Sequence, residues 1–95
     1  MKEELNARVA RYRQLTLEAL DKATIKAAEG SLDFKRAKQF LAMTKNYFND
    51  AKHFEKKGEP VLALAAFSYA HAWLDAGVKA GFLDGKEDNR LFTLP

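Results

Sequence analysis

The stretch "KKGEPVLALAAFSYAHAWLDAG", residues 56–77, decides the fold. Two lysines suit the last turn of a helix, Gly58 suits the left-handed residue that ends one, and Pro60 suits the first turn of the next. So short a connection forces the flanking helices to lie antiparallel, as an αα-hairpin. The helix before the turn spans about residues 32–57, with Ser31 or Asp33 as candidate N-cap. Its apolar positions, among them Phe40, Thr44, Phe48 and Ala51, recur at three- and four-residue steps. The helix after the turn spans about residues 60–80.

Working outward, Leu5, Val9, Tyr12, Thr16 and Leu20 form one stripe of a first helix over about residues 2–28, stopped by "EGS" at 29–31. Residues 81–95 read as a tail: glycine and turn-forming residues, then "LFTLP", whose Leu91, Phe92 and Leu94 should cover one end of the bundle. No run alternates, so no strand of consequence is expected. The expected architecture is all-α: a three-helix bundle with a tight hairpin and a packed tail, one domain over residues 1–95.

Composition bounds the function classes. The chain is 47% hydrophobic and 12% aromatic, enough for a packed core at this length. It has no cysteine, so disulfides and thiolate metal sites play no part. No run of about 18–20 uninterrupted apolar residues is present, and "MKEELNARVARYR" lacks the apolar centre of a signal peptide, so a cytoplasmic protein without membrane attachment is expected. Residues 1–58 hold 13 Lys/Arg against 8 Asp/Glu, whereas residues 59–95 hold 3 against 5. The basic part permits a polyanionic partner without demanding one.

At 100° per residue, Ser68, His71, Asp75 and Lys79 fall in one sector about 80° wide on the third helix. Leu62, Ala66, Tyr69, Trp73 and Ala76 lie to one side, and Ala63, Phe67, Ala70 and Leu74 to the other. A helix apolar on both flanks should be the central one, sandwiched by its neighbours, with that polar sector as its only wet edge. His71 and Asp75 then read as a solvent-facing contact, a binding edge, or a reactive dyad with Ser68 as nucleophile. With the acid C-terminal to the base, the pair runs against the helix dipole by a few tenths of a kcal/mol, so it is not there for helix stability. His53 falls on the polar face of the second helix, away from His71, and no HExxH or paired ExxH motif occurs, so neither a metal site nor a cofactor is expected.

Two other surfaces stand out. Lys38, Lys45, Lys52 and Lys56 line one stripe of the second helix, joined at its edge by Lys35, a candidate anion-binding face. On the first helix, Leu15, Leu17 and Ile25 lie outside the main stripe and suggest a further contact, either with the tail or with a second copy of the chain.

The hairpin is similar to one tetratricopeptide repeat, with Tyr47, Ala51, Phe54, Gly58, Ala63, Phe67 and Ala70 at that repeat's large, small and turn positions. Asp50 and Asp75 replace its usual leucine and proline, and no second copy occurs. The run "YFNDAKHFEKKGEPVLALAAFSYAHAWLDAGVKAGFL", residues 47–83, more closely resembles an archaeal family of small helical proteins, the domain of unknown function 357. The resemblance implies an all-helical cytoplasmic protein and supplies no activity. Its motif marks Tyr47, Asp50, Tyr69, His71, Trp73 and Asp75, with Asp50 placed to bond Tyr69 or Trp73 across the hairpin. The leading expectation is a non-enzymatic interaction or scaffold module with a protein partner, homodimeric through the first helix. The alternatives are a nucleic-acid-associated protein and a small His/Asp-based or metal-dependent enzyme.

Overall fold

The computed structural model describes residues 2–95. Three helices, α1 (Lys2–Lys22), α2 (Leu32–Lys56) and α3 (Pro60–Lys79), pack as a bundle, and two short strands, β1 (Thr24–Ile25) and β2 (Leu83–Asp84), tie their ends together. The expected all-α three-helix architecture, with its tight hairpin and packed tail, is what forms.

The hairpin turn is built as its residues dictate. Lys57 caps α2, and Gly58 follows at φ +76°. The Gly58 N–H donates to the Glu55 carbonyl at 3.1 Å and the Glu59 N–H to the Phe54 carbonyl at 2.9 Å. That pair of bonds is a Schellman motif, which uses carbonyls the helix end would leave orphaned. The same motif ends α3: Gly81 at φ +85° donates to Val78, and Phe82 donates to Gly77. At the other end of α2, Ser31 is the N-cap, its hydroxyl accepting from the Phe34 N–H at 3.1 Å.

α1 ends six residues earlier than its alanines suggest, and two strands appear where none was expected. The reason is tertiary. The turn at Gly81 sends the chain back past the end of α1, so that Ile25 pairs with Leu83 and Thr24 with Asp84 in antiparallel register. The Lys26 N–H adds a bond to the Phe82 carbonyl at 3.1 Å. Thr24 and Ile25 are β-branched and suit this extended path better than another helical turn.

The core has two halves. One gathers Val9, Phe48, Ala51, Ala63, Phe67 and Ala70 beneath the hairpin turn. The other gathers Ala19, Ala37, Leu74 and Val78 with Leu83, Leu91 and Phe92 of the tail. α3 supplies the central wall of both, with Ala63, Phe67, Ala70 and Leu74 wholly buried. Its opposite flank differs from expectation: Leu62 is 47% exposed and Tyr69 48%, and Ala65, Ala72 and Ala76 also face outward. α3 is the central helix, as expected, packed on both α1 and α2, but the two leave its back uncovered, so the polar sector is not its only face open to water.

The tail crosses its sharpest bend on non-glycine residues. Lys86 and Glu87 hold φ of 56° and 58°, and the Asp88 N–H closes onto the Gly85 carbonyl at 3.1 Å. Two consecutive left-handed residues make a type I′ turn, which Asn-Gly fits without strain. Each L side chain there costs about 1–2 kcal/mol. Replacing Glu87 with glycine should therefore raise stability by about 1 kcal/mol, a thermal midpoint gain of about 4–8 °C. An unchanged or lowered melting temperature would refute this account of the turn.

Candidate functional site

The polar edge of α3 meets the tail: His71 and Asp75 are half-buried, while Ser68 and Lys79 stay exposed. Leu91 and Phe92 are buried against Leu74 and Val78, and burying them brings their backbone along. Main-chain polar groups taken from water need partners, and the α3 edge supplies them. His71 Nε2 donates to the Leu91 carbonyl at 2.6 Å. Asp75 Oδ1 accepts the Thr93 N–H at 2.9 Å. Lys79 Nζ donates to the Leu94 carbonyl at 3.1 Å. Three of the four residues expected at an open edge thus hold the chain's own C-terminal segment, and only Ser68 remains outside that contact. His71 and Asp75 are therefore not open to water as expected, whereas Ser68 and Lys79 are exposed.

His71 also reaches α1. Its Nδ1 lies 3.0 Å from Oγ1 of Thr16, a residue with no exposed surface. A carbonyl only accepts, so Nε2 carries a proton; in the neutral ring Nδ1 then accepts the Thr16 hydroxyl hydrogen. One imidazole joins α1, α3 and the tail. Both ring nitrogens are engaged, and His71 and Asp75 share no hydrogen bond among the described residues.

The tail is fastened a second time at its bend. Asp88 accepts from Lys22 Nζ at 2.8 Å and from the N–H groups of Arg90 and Leu91. The Lys22 ammonium, followed by the Leu91 and Arg90 amides, holds the Asp88 carboxyl below its usual value of 3.8. A carboxyl depressed by folding stabilises the fold above its unfolded pKa, and that contribution is lost as pH falls through the folded value.

Elsewhere the candidates separate. Asp50 is exposed and bonds to neither Tyr69 nor Trp73, so the cross-hairpin bond does not form. Trp73 Nε1 is buried without a hydrogen-bond partner. In place of the bond, rings line the α2–α3 seam: Tyr47 meets Tyr69 edge-on at 4.4 Å, and Trp73 meets Phe40 at 5.6 Å. Lys35, Lys38, Lys45, Lys52 and Lys56 are all exposed, with none in an ion pair among the described residues. Lys38 and Lys52 lie over the rings of Phe34 and Phe48. His53 is exposed on the outer side of α2, and no group of three or more His, Cys, Asp or Glu side chains is placed to share a metal ion among the described residues. Of the first helix's leftover residues, Leu15 and Ile25 pack on the core cluster that contains the tail, leaving Leu17, 39% exposed, as the outlier.

Sequence reasoning missed the exposed apolar back of α3. Val61 is 67% exposed, and with Leu62, Ala65, Tyr69, Ala72 and Ala76 it makes a face whose only polar members are Ser68 and Lys79. By length and composition α3 is apolar enough to cross a membrane, yet only 33% of that window is buried. A helix apolar on both flanks of its polar edge carries no periodic signal of which flank faces in, so only the packing distinguishes them.

A family described as "Protein of unknown function (DUF357)" matches residues 11–83, which takes in most of α1, the hairpin and β1 but stops short of the residues that dock on His71. No curated protein and no solved structure matches significantly.

Replacing His71 with alanine leaves the Leu91 carbonyl and Thr16 hydroxyl unpartnered and should cost about 1–3 kcal/mol. Amide exchange over residues 88–95 should accelerate while α2 and α3 stay protected. Unaltered exchange in the tail would show that the imidazole does not hold it.

Proposed function

Because the chain belongs to the DUF357 family, a family of unknown function, we propose its role from its surfaces: it is a non-enzymatic protein–protein interaction module that presents the back of α3. The observation that carries this reading is the exposed apolar face from Val61 to Ala76. Scattered apolar residues on a surface are ordinary, but a contiguous face on one helix marks a contact site. Tyr69 suits an anchor, because a half-exposed ring braced by Tyr47 loses little freedom when it is covered. The residues that could do acid–base work support the same reading, since His71, Asp75 and Lys79 already bind the tail.

A photo-crosslinking side chain at Ala72 tests this in lysate of the source cells. It should give discrete protein adducts that disappear when Tyr69 is also changed to glutamate, whereas the same group at Gln14 on exposed α1 should give none. Equal labelling at both positions, or none at either, would count against the α3 face.

A second reading has its own observation. α2 carries five exposed lysines with no ion-pair partner among the described residues, a field suited to phosphates. Changing Lys45 and Lys52 to glutamate should then weaken binding of an RNA or DNA oligonucleotide and flatten its salt dependence. No binding by the native chain even at low salt would remove this alternative.

A further inference from the structure

We propose that the occupant of the α3 face is a second copy of this chain, the two α3 helices packing antiparallel about a two-fold axis that passes level with Ala70 and His71. The proposal rests on the reading of that face as a protein contact site, and it names the partner.

Size complementarity is the first argument. With the axis at that level, the two helices overlap along almost their whole length. Tyr69 then faces Ala72 of the other copy, Ala65 faces Ala76, and Val61 faces Ala80. In these three pairs the larger side chain meets an alanine, and the alanines let the helix axes approach to about 8 Å. Sliding the register by two turns in either direction shortens the overlap, and in one of the two it carries Leu62 past the end of the other helix.

Charge is the second. Lys79 is the only charged residue on the face. In a parallel pair the two copies of Lys79 would sit side by side. In the antiparallel pair each lies opposite Leu62, 17 residues along the helix and so about 25 Å from its counterpart, well beyond a Debye length of about 8 Å. The Lys79 ammonium is also drawn toward the Leu94 carbonyl, which leaves its methylene stem to cover Leu62. Antiparallel helix dipoles favour the same orientation.

Preorganisation is the third. The Tyr69 ring is held between Tyr47 and Trp73, so it presents a fixed anchor before association. α3 is about 30 Å long, and one helix face of that length buries less than the about 800 Å² per partner of a standard interface. The dimer is therefore concentration-dependent rather than obligate, and each chain keeps its own core and its own tail.

The absence of cysteine makes the geometry directly testable. Among outward-facing positions, Ala72 and Tyr69 lie nearest the axis, so the Ala72→Cys variant should link to itself under mild oxidation or with a short bis-maleimide. Ala65→Cys and Ala76→Cys should each link poorly alone but efficiently when mixed. Sedimentation from low micromolar to millimolar chain should show a monomer–dimer equilibrium. Ala72→Glu, at an exposed site, should weaken that association at least about tenfold while the melting curve stays native.

Several results would overturn the proposal. One is a strict monomer throughout that range. Another is self-linking of Ala65→Cys that matches the mixed pair, the mark of a parallel contact. A third is preferential linking through Leu17→Cys, which places the interface on α1. Binding of the native chain to phosphatidylcholine vesicles at the expense of the dimer would assign the face to lipid instead. A strict monomer whose Ala72 crosslinker still captures another protein would refute self-association alone and leave the interaction-module reading standing.

Discussion

Gly58 and Gly81 hold left-handed conformations that an L side chain adopts only with strain, and they close the Schellman motifs that end α2 and α3 respectively. The first turns the chain so that α3 runs back along α2. The second turns it again so that β2 meets β1 and the tail returns along the polar edge of α3. Every later contact depends on these two reversals. Without the turn at Gly81, Leu91 and Phe92 would not reach Leu74 and Val78, and His71 would have nothing to donate to.

The tail contact shows how apolar burial recruits polar chemistry. Burying Leu91 and Phe92 is worth about 1.5–3 kcal/mol each, as an upper figure. That gain requires partners for the main chain on either side, because an unsatisfied buried carbonyl or amide would cancel much of it. His71, Asp75 and Lys79 provide those partners from consecutive turns of one helix, and Thr16 fixes the imidazole from α1. A histidine and an aspartate four residues apart on an apolar helix are therefore explained by the architecture of the C-terminal end. Asp88, held by Lys22 and two amides, makes the same end sensitive to acid.

With those groups engaged, the surfaces free for function are of two kinds and lie on different helices. The back of α3 is apolar and nearly uncharged; the outer side of α2 is basic. The aromatic rings along the α2–α3 seam stiffen the first of these surfaces from beneath, through the contacts of Tyr47 with Tyr69 and of Phe40 with Trp73.

How much of this was legible beforehand follows from the range of each force. Helix type, the hairpin, the Ser31 cap and the burial of Leu91 and Phe92 are local or compositional matters: capping residues, glycine and apolar periodicity act within a few positions, and a single sequence records them. The end of α1 was misjudged because pairing of Thr24 and Ile25 with β2 depends on a segment some sixty positions away. The destination of His71 was misjudged because a helical wheel ranks sides by polarity and cannot see which polar side receives a returning tail. The exposed back of α3 was missed for the converse reason, since a helix apolar on both flanks of its polar edge does not show which flank is inward until α1 and α2 close on it. The sequence by itself determined three helices, their connection and an apolar tail, all set by short-range chemistry. Only tertiary packing decided which faces of α3 are covered, because that depends on where two other helices and the tail come to rest in space.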